Sequence, residues 1–418
     1  RTGLGLAIHV RCGVSLPVHG MPMDQALMDW LCSSEGMAVL ADLAERDLGE
    51  ETILVELKRL RRFLPAERAR VAVEQALLRR RAMTKFPQAN RMLFTRDALE
   101  QASATVVATH RANRMVSVGH VADLGCGIGG DTIALAAAGA QVTAVERDPI
   151  RLALARFNVE ALGLGSRVLF VERDLMLEPP PSVAALFCDP SRRSEGRRVF
   201  DPEAFQPPLS HVLSWQRYTS ALVVKLAPGI DPSVLPTNAE IEFVSLDGEL
   251  REAVLWLGPF VTATRRATVL RSDGSCATMV ASPSPSPTLS PPLAVLYEPD
   301  PAIIRAGLVT TLAAQLGAHQ LSPDIAYLTA ETAIPTPFAR SWPIITWLPF
   351  QLKRLRALVR ELDGGLVTVK KRGSPLDTDA LARQLRGTGQ RSLVVVLSHM
   401  LTGPIAVICS ADRADMVT

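Results

Sequence analysis

The stretch "VADLGCGIGGDTIALAAAGAQVTAVERDP" (Val121–Pro149) decides the fold of this chain. A short apolar run leads into a glycine-rich turn, then an alanine-rich helical segment, then a second apolar run that ends at Glu146. This order of strand, turn, helix and strand predicts a parallel sheet. Glycines in such a turn let backbone N–H groups approach a ligand closely, so the turn indicates a nucleotide-type site. The alternative interpretation is a glycine-rich turn without a ligand.

The sequence on the C-terminal side continues this alternation. A helix is predicted over Arg151–Leu164, and apolar runs at Arg167–Leu175, Val183–Ser191 and Ala221–Gly229 predict three more strands. Ile241–Gly258 reads as two strands joined by a short Asp-Gly turn, which adds antiparallel pairing because parallel neighbours need a long crossover. The expected fold class is therefore α/β, with a Rossmann-like sheet.

The remaining segments divide the chain into further domains. Helical spacing on the N-terminal side includes a helix opened by Pro65 at its first position and another with Thr95 as N-cap. The Lys85–Thr95 stretch is a candidate lid over the site. Ser and Pro alternate in Ser282–Pro292, a composition that predicts a stiff linker unable to pair in a sheet. The expected divisions are 1–20 (an uncertain N-terminal segment), 21–117 (a helical domain), 118–262 (the nucleotide-binding core), 263–281 (a β-hairpin extension), 282–292 (the linker) and 293–418 (an α+β module).

Composition excludes several classes of protein. The chain has 418 residues, more than one domain at about 100–200 residues per domain. Its 45 basic and 42 acidic residues give a formal charge of +3, so bulk charge does not argue for nucleic acid or a membrane surface. Six dispersed cysteines, without zinc spacing, predict neither disulfides nor a metal site. With no apolar run of membrane-spanning length, the expected location is the cytoplasm.

The glycine-rich turn fits two cofactor fingerprints. Gly125, Gly127 and Gly129 form the G-x-G-x-G pattern usual for S-adenosylmethionine, whereas replacing the last by Gly130 gives the dinucleotide pattern. A carboxylate just before the first glycine can meet the amino group of a methionine moiety, and one at the end of the third strand can accept from an adenine amino group. The hairpin that closes the sheet also fits methyltransferases better than dehydrogenases. These features favour S-adenosylmethionine, although Glu146, placed to accept from ribose hydroxyls, serves either cofactor.

Seven segments together are more specific than the turn alone. They are Lys85–Ala102, "DLGCGIGGD" (Asp123–Asp131), "CDPSRR" (Cys188–Arg193), "GELREAVLW" (Gly248–Trp256), "YEPDPAIIRAG" (Tyr297–Gly307), "IAYLTAE" (Ile325–Glu331) and "KKRG" (Lys370–Gly373). With them the chain resembles class I S-adenosylmethionine-dependent methyltransferases of the bacterial family with a C-terminal ferredoxin-like and THUMP-like module. The resemblance implies methyl transfer to RNA, either tRNA or rRNA, because THUMP-related domains bind RNA. The predicted cofactor-binding residues are Asp123, Gly125, Cys126, Gly127, Gly129, Asp131, Thr132, Glu146, Arg147, Asp174 and Leu175.

The segment after the fourth strand is the candidate catalytic element. Ligands of open α/β sheets sit beyond the carboxyl ends of the strands, which places Asp189 and Pro190 near the transferring methyl. Amine methyltransferases often carry Asp-Pro-Pro or Asn-Pro-Pro followed by an aromatic residue, but this chain continues with Ser191, Arg192 and Arg193. The acceptor atom is therefore open. These three residues are candidate substrate ligands, the arginines because guanidinium groups grip phosphate. The alternative is a solvated basic loop.

Lys225 and Cys188 also lie near this element in the predicted sheet. Lys225 ends the fifth strand and either contacts substrate phosphate or extends to solvent at the strand end. Uridine C5 methyltransferases share an Asp-Pro-x-Arg pattern, but no cysteine lies between Cys188 and Cys276 to act as their nucleophile. Cys188 itself lies inside a buried strand and is interpreted as a core residue.

The partner prediction rests on local basic clusters. Lys353, Arg354, Arg356 and Lys370–Arg372 are predicted to form one basic face that contacts RNA phosphates. One alternative is that this module only packs against the rest of the protein and binds no RNA. For the whole chain, the alternatives are a methyltransferase that acts on a small molecule or protein, and a cofactor-binding protein without catalysis. No metal and no membrane partner are predicted, and the oligomeric state is left open.

Overall fold

A computed structural model of the chain separates into two compact units, Arg1–Lys225 (the N-terminal unit) and Leu226–Thr418 (the C-terminal unit). The predicted N-terminal segment 1–20 lies outside the described residues, as does Arg192, and Arg193 is described by its backbone alone. The described residues are 23–49, 51–191, 193–194, 197–198, 201–283, 286–372 and 375–411.

The N-terminal unit begins with six helices, of which the first five contribute to a shared apolar core. Leu31, Leu43 and Leu60 are fully buried there, and Ile128 of the glycine-rich turn joins the same cluster. Thr95 caps the fifth helix as predicted, accepting from the Ala98 amide. Pro65 lies one residue before its helix, at the N-cap rather than the first helical position. The helices are α1 (Gln25–Cys32), α2 (Ser34–Ala44), α3 (Ile53–Leu60), α4 (Ala66–Ala82), α5 (Arg96–Gln101) and α6 (Thr105–Met115).

A parallel sheet follows in the same unit, with the order β7-β4-β1-β2-β3. The chain's first strand lies in the middle of this order, with β2 on one side and β4 on the other. Such a reversal opens a crevice at the carboxyl ends of the two central strands. The elements are β1 (His120–Leu124), α7 (Gly130–Ala138), β2 (Gln141–Glu146), α8 (Pro149–Ala161), β3 (Val168–Glu172), β4 (Ala185–Cys188), β5 (Arg193–Ser194), β6 (Arg197–Arg198), α9 (Leu209–Ser214) and β7 (Leu222–Leu226).

The C-terminal unit opens with the two predicted hairpins. Asp247 and Gly248 form the first turn, both with positive φ, between β8 (Glu240–Leu246) and β9 (Glu249–Trp256). The second hairpin pairs β10 (Arg265–Leu270) with β11 (Cys276–Val280). Strand β10 also pairs in parallel with β8, so the segment expected as an extension continues the sheet of the first hairpin.

The Ser/Pro segment was expected not to pair, and this expectation is wrong near its C-terminal end. Leu289 forms a parallel bridge with Gln320. The Gln320 amide donates to the Thr288 carbonyl, and the Gln320 carbonyl accepts from the Ser290 amide. These three residues are not prolines, so their backbones keep the donors and acceptors that the neighbouring prolines partly lack.

The rest of the C-terminal unit is the expected α+β module. Its sheet has the order β13-β14-β12-β15-β18-β17-β16, and the long β15 pairs with β12 through its first half and with β18 through its second. Leu355 and Val359 of α12 join the apolar cluster on one face of β16–β18, while Tyr327 and Trp342 join the cluster on the other. The elements are β12 (Val295–Pro299), α10 (Pro301–Ala306), α11 (Val309–Leu316), β13 (His319–Ser322), β14 (Ile325–Ala330), β15 (Ala339–Pro349), α12 (Leu352–Glu361), β16 (Gly364–Lys371), α13 (Thr378–Leu385), β17 (Arg391–Met400) and β18 (Gly403–Ser410).

Among the described helices, none combines the length and the apolar content that crossing a bilayer requires.

Candidate functional site

A cavity of about 1130 Å³ opens in the N-terminal unit at the carboxyl ends of β1, β2 and β4. Three sets of predicted residues line it: the glycine-rich turn, the acidic strand ends and the segment after β4. A cavity at the reversal of the strand order is where α/β sheets bind ligands. The predicted residues in its lining are Asp123, Gly125, Cys126, Gly127, Asp131, Glu146, Arg147, Asp174, Leu175, Asp189, Pro190 and Ser191.

The glycine-rich turn is shaped for close approach of a ligand. Gly127 has a φ of 57°, and no described atom lies within 4 Å of the place a Cβ would occupy there. Gly129 has a φ of 85° and caps α7, and a Cβ on it would come within 3.3 Å of Ala155 in α8. Gly127 thus leaves open space at the cavity, whereas Gly129 permits α7 and α8 to pack closely behind the lining.

Asp123 is a buried carboxylate at the end of β1. Its Oδ2 accepts from the Thr132 hydroxyl at 2.5 Å, so Thr132 acts on the site through Asp123 and is not itself in the lining. Burial, with repulsion from Asp131 and Asp189, raises the pKa of Asp123 to about 7. A ligand ammonium beside this carboxylate would relieve its unfavourable burial.

Glu146 is held in place by the backbone of two loops. Its Oε2 accepts from the Gly127 amide at 3.0 Å, and its Oε1 accepts from the amides of Arg147 and Asp148 at 2.9 and 3.1 Å. The carboxylate therefore links the end of β2 to the glycine-rich turn. Each carboxylate oxygen has more than one lone pair, so hydroxyl groups of a ribose can still donate to it.

Asp131 pairs with a buried arginine. Arg111, from α6, donates to its Oδ1 and also to the Ser103 hydroxyl at 3.0 Å. The guanidinium lies 5.4 Å from the ring centre of Phe187, over the aromatic face. Arg111 thus fixes the side of the cavity next to the first turn of α7.

The third acidic strand end is half-buried. The Asp174 Oδ1 accepts from the Met176 amide at 2.9 Å, while Leu175 beside it is buried. Arg147 is exposed and contacts Gln206, Nη2 to Oε1, at 3.4 Å. The lining therefore joins a carboxylate, an apolar side chain and an amide at the end where an adenosine group is expected.

Asp189 forms an ion pair with Lys225. The register of β4 and β7 pairs Cys188 with Val224, so the next residues along each strand are neighbours. The Lys225 Nζ donates to Asp189 Oδ2 at 2.5 Å; its side chain is only 7% exposed, against 28% for Asp189. Lys225 is buried, so it does not extend to solvent; it is also absent from the cavity lining, and a contact with substrate phosphate stays a prediction. It orients the carboxylate that faces the cavity.

Two segments of the lining, α5 and 203–208, were not predicted from the sequence. Helix α5 contributes Asp97 and Gln101, whereas the lid segment before it packs its aromatic residues, Phe86 and Phe94, into the core. The stretch 203–208 lies beside Ser191 because Ser191 and Gln206 exchange two backbone hydrogen bonds, of 2.9 and 3.0 Å. This pairing joins residues distant in sequence, and no local pattern signals it.

The cavity fits S-adenosylmethionine by three observations on the structure. A positive-φ turn leaves open space, a buried carboxylate with a raised pKa lies at its edge, and a second carboxylate is fixed at the end of β2. In the described part of the chain, no group of three or more His, Cys, Asp or Glu side chains could hold a metal ion.

Comparisons with known proteins agree with this geometry. A family model described as a methyltransferase domain matches residues 121–189, one described as THUMP domain-like matches 339–411, and a domain of unknown function matches 24–82. An uncharacterized RNA methyltransferase of Parasynechococcus marenigrum strain WH8102 is 37% identical over 93 residues, 22% of this chain and 20% of that protein.

Longer matches cover nearly the whole chain. A crystal structure described as that of a candidate methyltransferase from Porphyromonas gingivalis W83 matches with a TM-score of 0.72, covering 94% of this chain and all of that one; at 22% identity this shows a shared fold. Uncharacterized S-adenosylmethionine-dependent methyltransferases of Mycobacterium tuberculosis strains CDC 1551 and H37Rv are 36% identical over 364 residues, 83% of this chain and 98% of theirs. The predicted fold class, enzyme class and cofactor are thereby confirmed, and the chain belongs to the S-adenosylmethionine-dependent methyltransferase family.

Proposed function

We propose that this methyltransferase modifies a nucleotide of structured RNA, tRNA or rRNA, and that Asp189 aligns the acceptor. The observation that carries the proposal is one cavity lined by both the glycine-rich turn and the Asp189–Ser191 segment. The substrate class is supported by the THUMP-like match over 339–411 and by the local similarity to a relative named as an RNA methyltransferase.

When bound, S-adenosylmethionine supplies an activated methyl group on a sulfonium. The protein's part is then to orient the acceptor in line with that methyl, which can provide much of the roughly 7–11 kcal/mol available from proximity and orientation. The Asp189 carboxylate is an acceptor for N–H or O–H groups of the incoming nucleotide. Lys225 holds this carboxylate in one orientation from behind, and the buried Pro190 fixes the backbone after it.

Purified variants test the role of Asp189. We expect Asp189→Ala to abolish methyl transfer to RNA while the dissociation constant for S-adenosylmethionine, measured by calorimetry, stays the same or falls slightly. The slight fall is expected because Asp189 contributes to raising the pKa of Asp123. Lys225→Met is expected to lower kcat more than it changes KM. The exposed Glu172→Gln, outside the lining, is the control. Loss of cofactor binding together with turnover would make Asp189 a cofactor residue instead.

The substrate class is tested in cells. Mass spectrometry of nucleosides from tRNA and rRNA is compared between cells with and without the gene. We expect one methylated nucleoside to disappear and to return when the wild-type gene, but not Asp189→Ala, is restored. Unchanged nucleosides in both RNA classes would contradict the proposal.

A further inference from the structure

A second cavity, of about 230 Å³, lies within the C-terminal unit and plays no part in the site described above. Five segments distant in sequence meet at it: the β8–β9 turn, the end of β10, the β12–α10 connection, the start of β15 and the end of β16. Its charged lining residues are four cations and two carboxylates, namely Arg271, Arg340, Lys370, Arg372, Glu298 and Asp300.

Both carboxylates of this cavity are already engaged. Glu298 accepts from the Lys370 Nζ at 2.6 Å and lies 4.0 Å from Nη2 of Arg372. Asp300 is buried and accepts from the Ala302 amide at 2.9 Å as the N-cap of α10. The carboxylates therefore balance only part of the positive charge around the cavity.

Aromatic side chains hold the two cations that contact Glu298. The Lys370 Nζ lies 5.2 Å from the ring centre of Trp342, and the Arg372 guanidinium carbon lies 5.5 Å from that of Tyr327. Cations over ring faces are stabilised there. Both charges thus have a fixed position at one wall of the cavity.

Arg340 is the unbalanced charge. It is the cross-strand neighbour of Glu298 in the β12–β15 pairing, a position where opposite charges usually pair. Yet no carboxylate of the described residues lies within ion-pair distance of Arg340, because Glu298 turns to Lys370 and Arg372. Its exposed guanidinium instead extends over Gly248, where a Cβ would come within 2.9 Å of Nη2. If the cluster served only to stabilise the fold, the neighbouring Glu298 carboxylate would be expected to form an ion pair with Arg340.

Arg271 completes the cluster from the end of β10. It donates from Nη2 to the Pro337 carbonyl at 3.4 Å, and its charge is only partly balanced by the exposed carboxylates of Asp247 and Asp273, whose pKa values it helps to lower. Two guanidinium groups with further donors, beside a fixed ammonium, are the arrangement that binds a phosphate through several charge-assisted hydrogen bonds. Lys353, Arg354 and Arg356 of the predicted basic face are outside this lining, and their contact with RNA stays a prediction.

We propose that this cavity is a phosphate-binding site, and that it takes a backbone phosphate of the RNA substrate. The inference rests on the proposed RNA function and names the residues that would contact RNA away from the methyl-transfer cavity. Arg340, Lys370 and Arg372 belong to the THUMP-like region 339–411, which supports an RNA phosphate as the ligand. Such a contact adds affinity and orientation without reading sequence.

The test is RNA binding by the full-length protein at several salt concentrations, with total tRNA and with rRNA fragments as probes. We expect the Arg271→Gln/Arg340→Gln double variant to bind about tenfold or more weakly than wild type. The slope of log affinity against log salt should become shallower by about 0.7–0.9, the value for one phosphate contact. Arg340→Lys should keep the slope but lose affinity, since lysine retains the charge without the guanidinium fork. Arg360→Gln, an exposed arginine on α12 outside the lining, is the matched control and should bind as wild type does.

Folding of the variants is checked by their melting temperatures and by unchanged affinity for S-adenosylmethionine. If wild type binds RNA and the double variant binds equally well with the same slope, the phosphate site is wrong while the RNA function stands. If wild type binds neither RNA probe, both proposals fail.

Discussion

Asp123 and Asp189 are two of the carboxylates that line the methyl-transfer cavity, and their surroundings suit them to different tasks. Asp123 is fully buried and hydrogen-bonded to Thr132, and burial with repulsion from Asp131 and Asp189 outweighs the attraction of Arg111, whereas Asp189 is partly exposed and paired with Lys225. Burying a carboxylate costs free energy, and a cation bound beside it offsets that cost. Asp123 therefore suits the amino group of a methionine moiety, and Asp189 suits an uncharged acceptor.

This difference predicts how pH acts on cofactor binding. Because the pKa of Asp123 is raised to about 7, affinity for S-adenosylmethionine should increase as pH rises through 7, when the carboxylate ionises. Asp123→Asn should weaken binding about 10- to 100-fold near neutral pH, as expected for losing a hydrogen bond to a charged group, and remove this pH dependence. Calorimetry between pH 6 and 8.5 measures both effects. Equal affinity across that range in wild type would contradict the assignment.

The same residue predicts a trend in stability. The folded state holds the Asp123 proton more tightly than the unfolded state, whose pKa is the ordinary 3.8, so cofactor-free protein should lose stability as pH rises from about 4 to 7. In Asp123→Asn this loss is absent, and its melting temperature near pH 7 should therefore exceed that of wild type. Asp123→Asn should therefore weaken binding of S-adenosylmethionine while it stabilises the cofactor-free protein.

At the scale of single elements, α5 shows how a wall of the cavity is fixed. The helix has six residues, too short to be stable by itself. Thr95 satisfies its first turn, and the Lys85 ammonium donates to the carbonyls of Leu99, Glu100 and Ala102 at 2.8, 3.1 and 2.8 Å at its other end. Sequence spacing predicts the first cap, since it is local. The second joins residues about fourteen or more positions apart, and nothing in the local pattern indicates it.

We expect Lys85→Met to loosen this wall. Losing charge-assisted hydrogen bonds to three carbonyls should lower the free energy of unfolding by about 1.5–3 kcal/mol and weaken cofactor binding, because Asp97 and Gln101 of α5 line the cavity. Urea unfolding and calorimetry measure these effects. Lys58→Met, at an exposed lysine of α3, is the control and should leave both unchanged. A Lys85→Met protein as stable as the control would show that the helix needs no such support.

At the scale of the whole molecule, the near-neutral total charge says little about partners, and the distribution of charge says more. The cofactor cavity and the proposed phosphate site lie in different compact units. Strands, turns and hairpins were predictable because alternation and Asp-Gly turns are local signals. The Lys370–Glu298 ion pair was not predictable, because its partners are 72 positions apart in sequence and meet only in the folded sheet.

Amide hydrogen exchange of the full-length protein can separate the two sites. S-adenosylmethionine should slow exchange in segments around 97–102, 123–131 and 203–208, all at the cofactor cavity. RNA should additionally slow exchange near 271 and 337–340. Protection that RNA confers on the cofactor cavity alone would place the whole RNA contact in the N-terminal unit and leave the second cavity without a ligand.

The two backbone hydrogen bonds between Ser191 and Gln206 have a consequence for the segment that they enclose. Because these two residues are fixed one strand spacing apart, the entropy of closing the intervening segment changes only slowly with its length. We therefore expect changes in the length of this segment to leave Asp189 and the sheet in place. Exchanging the segment between two methyltransferases that share this pairing would then test whether it contributes to the choice of substrate.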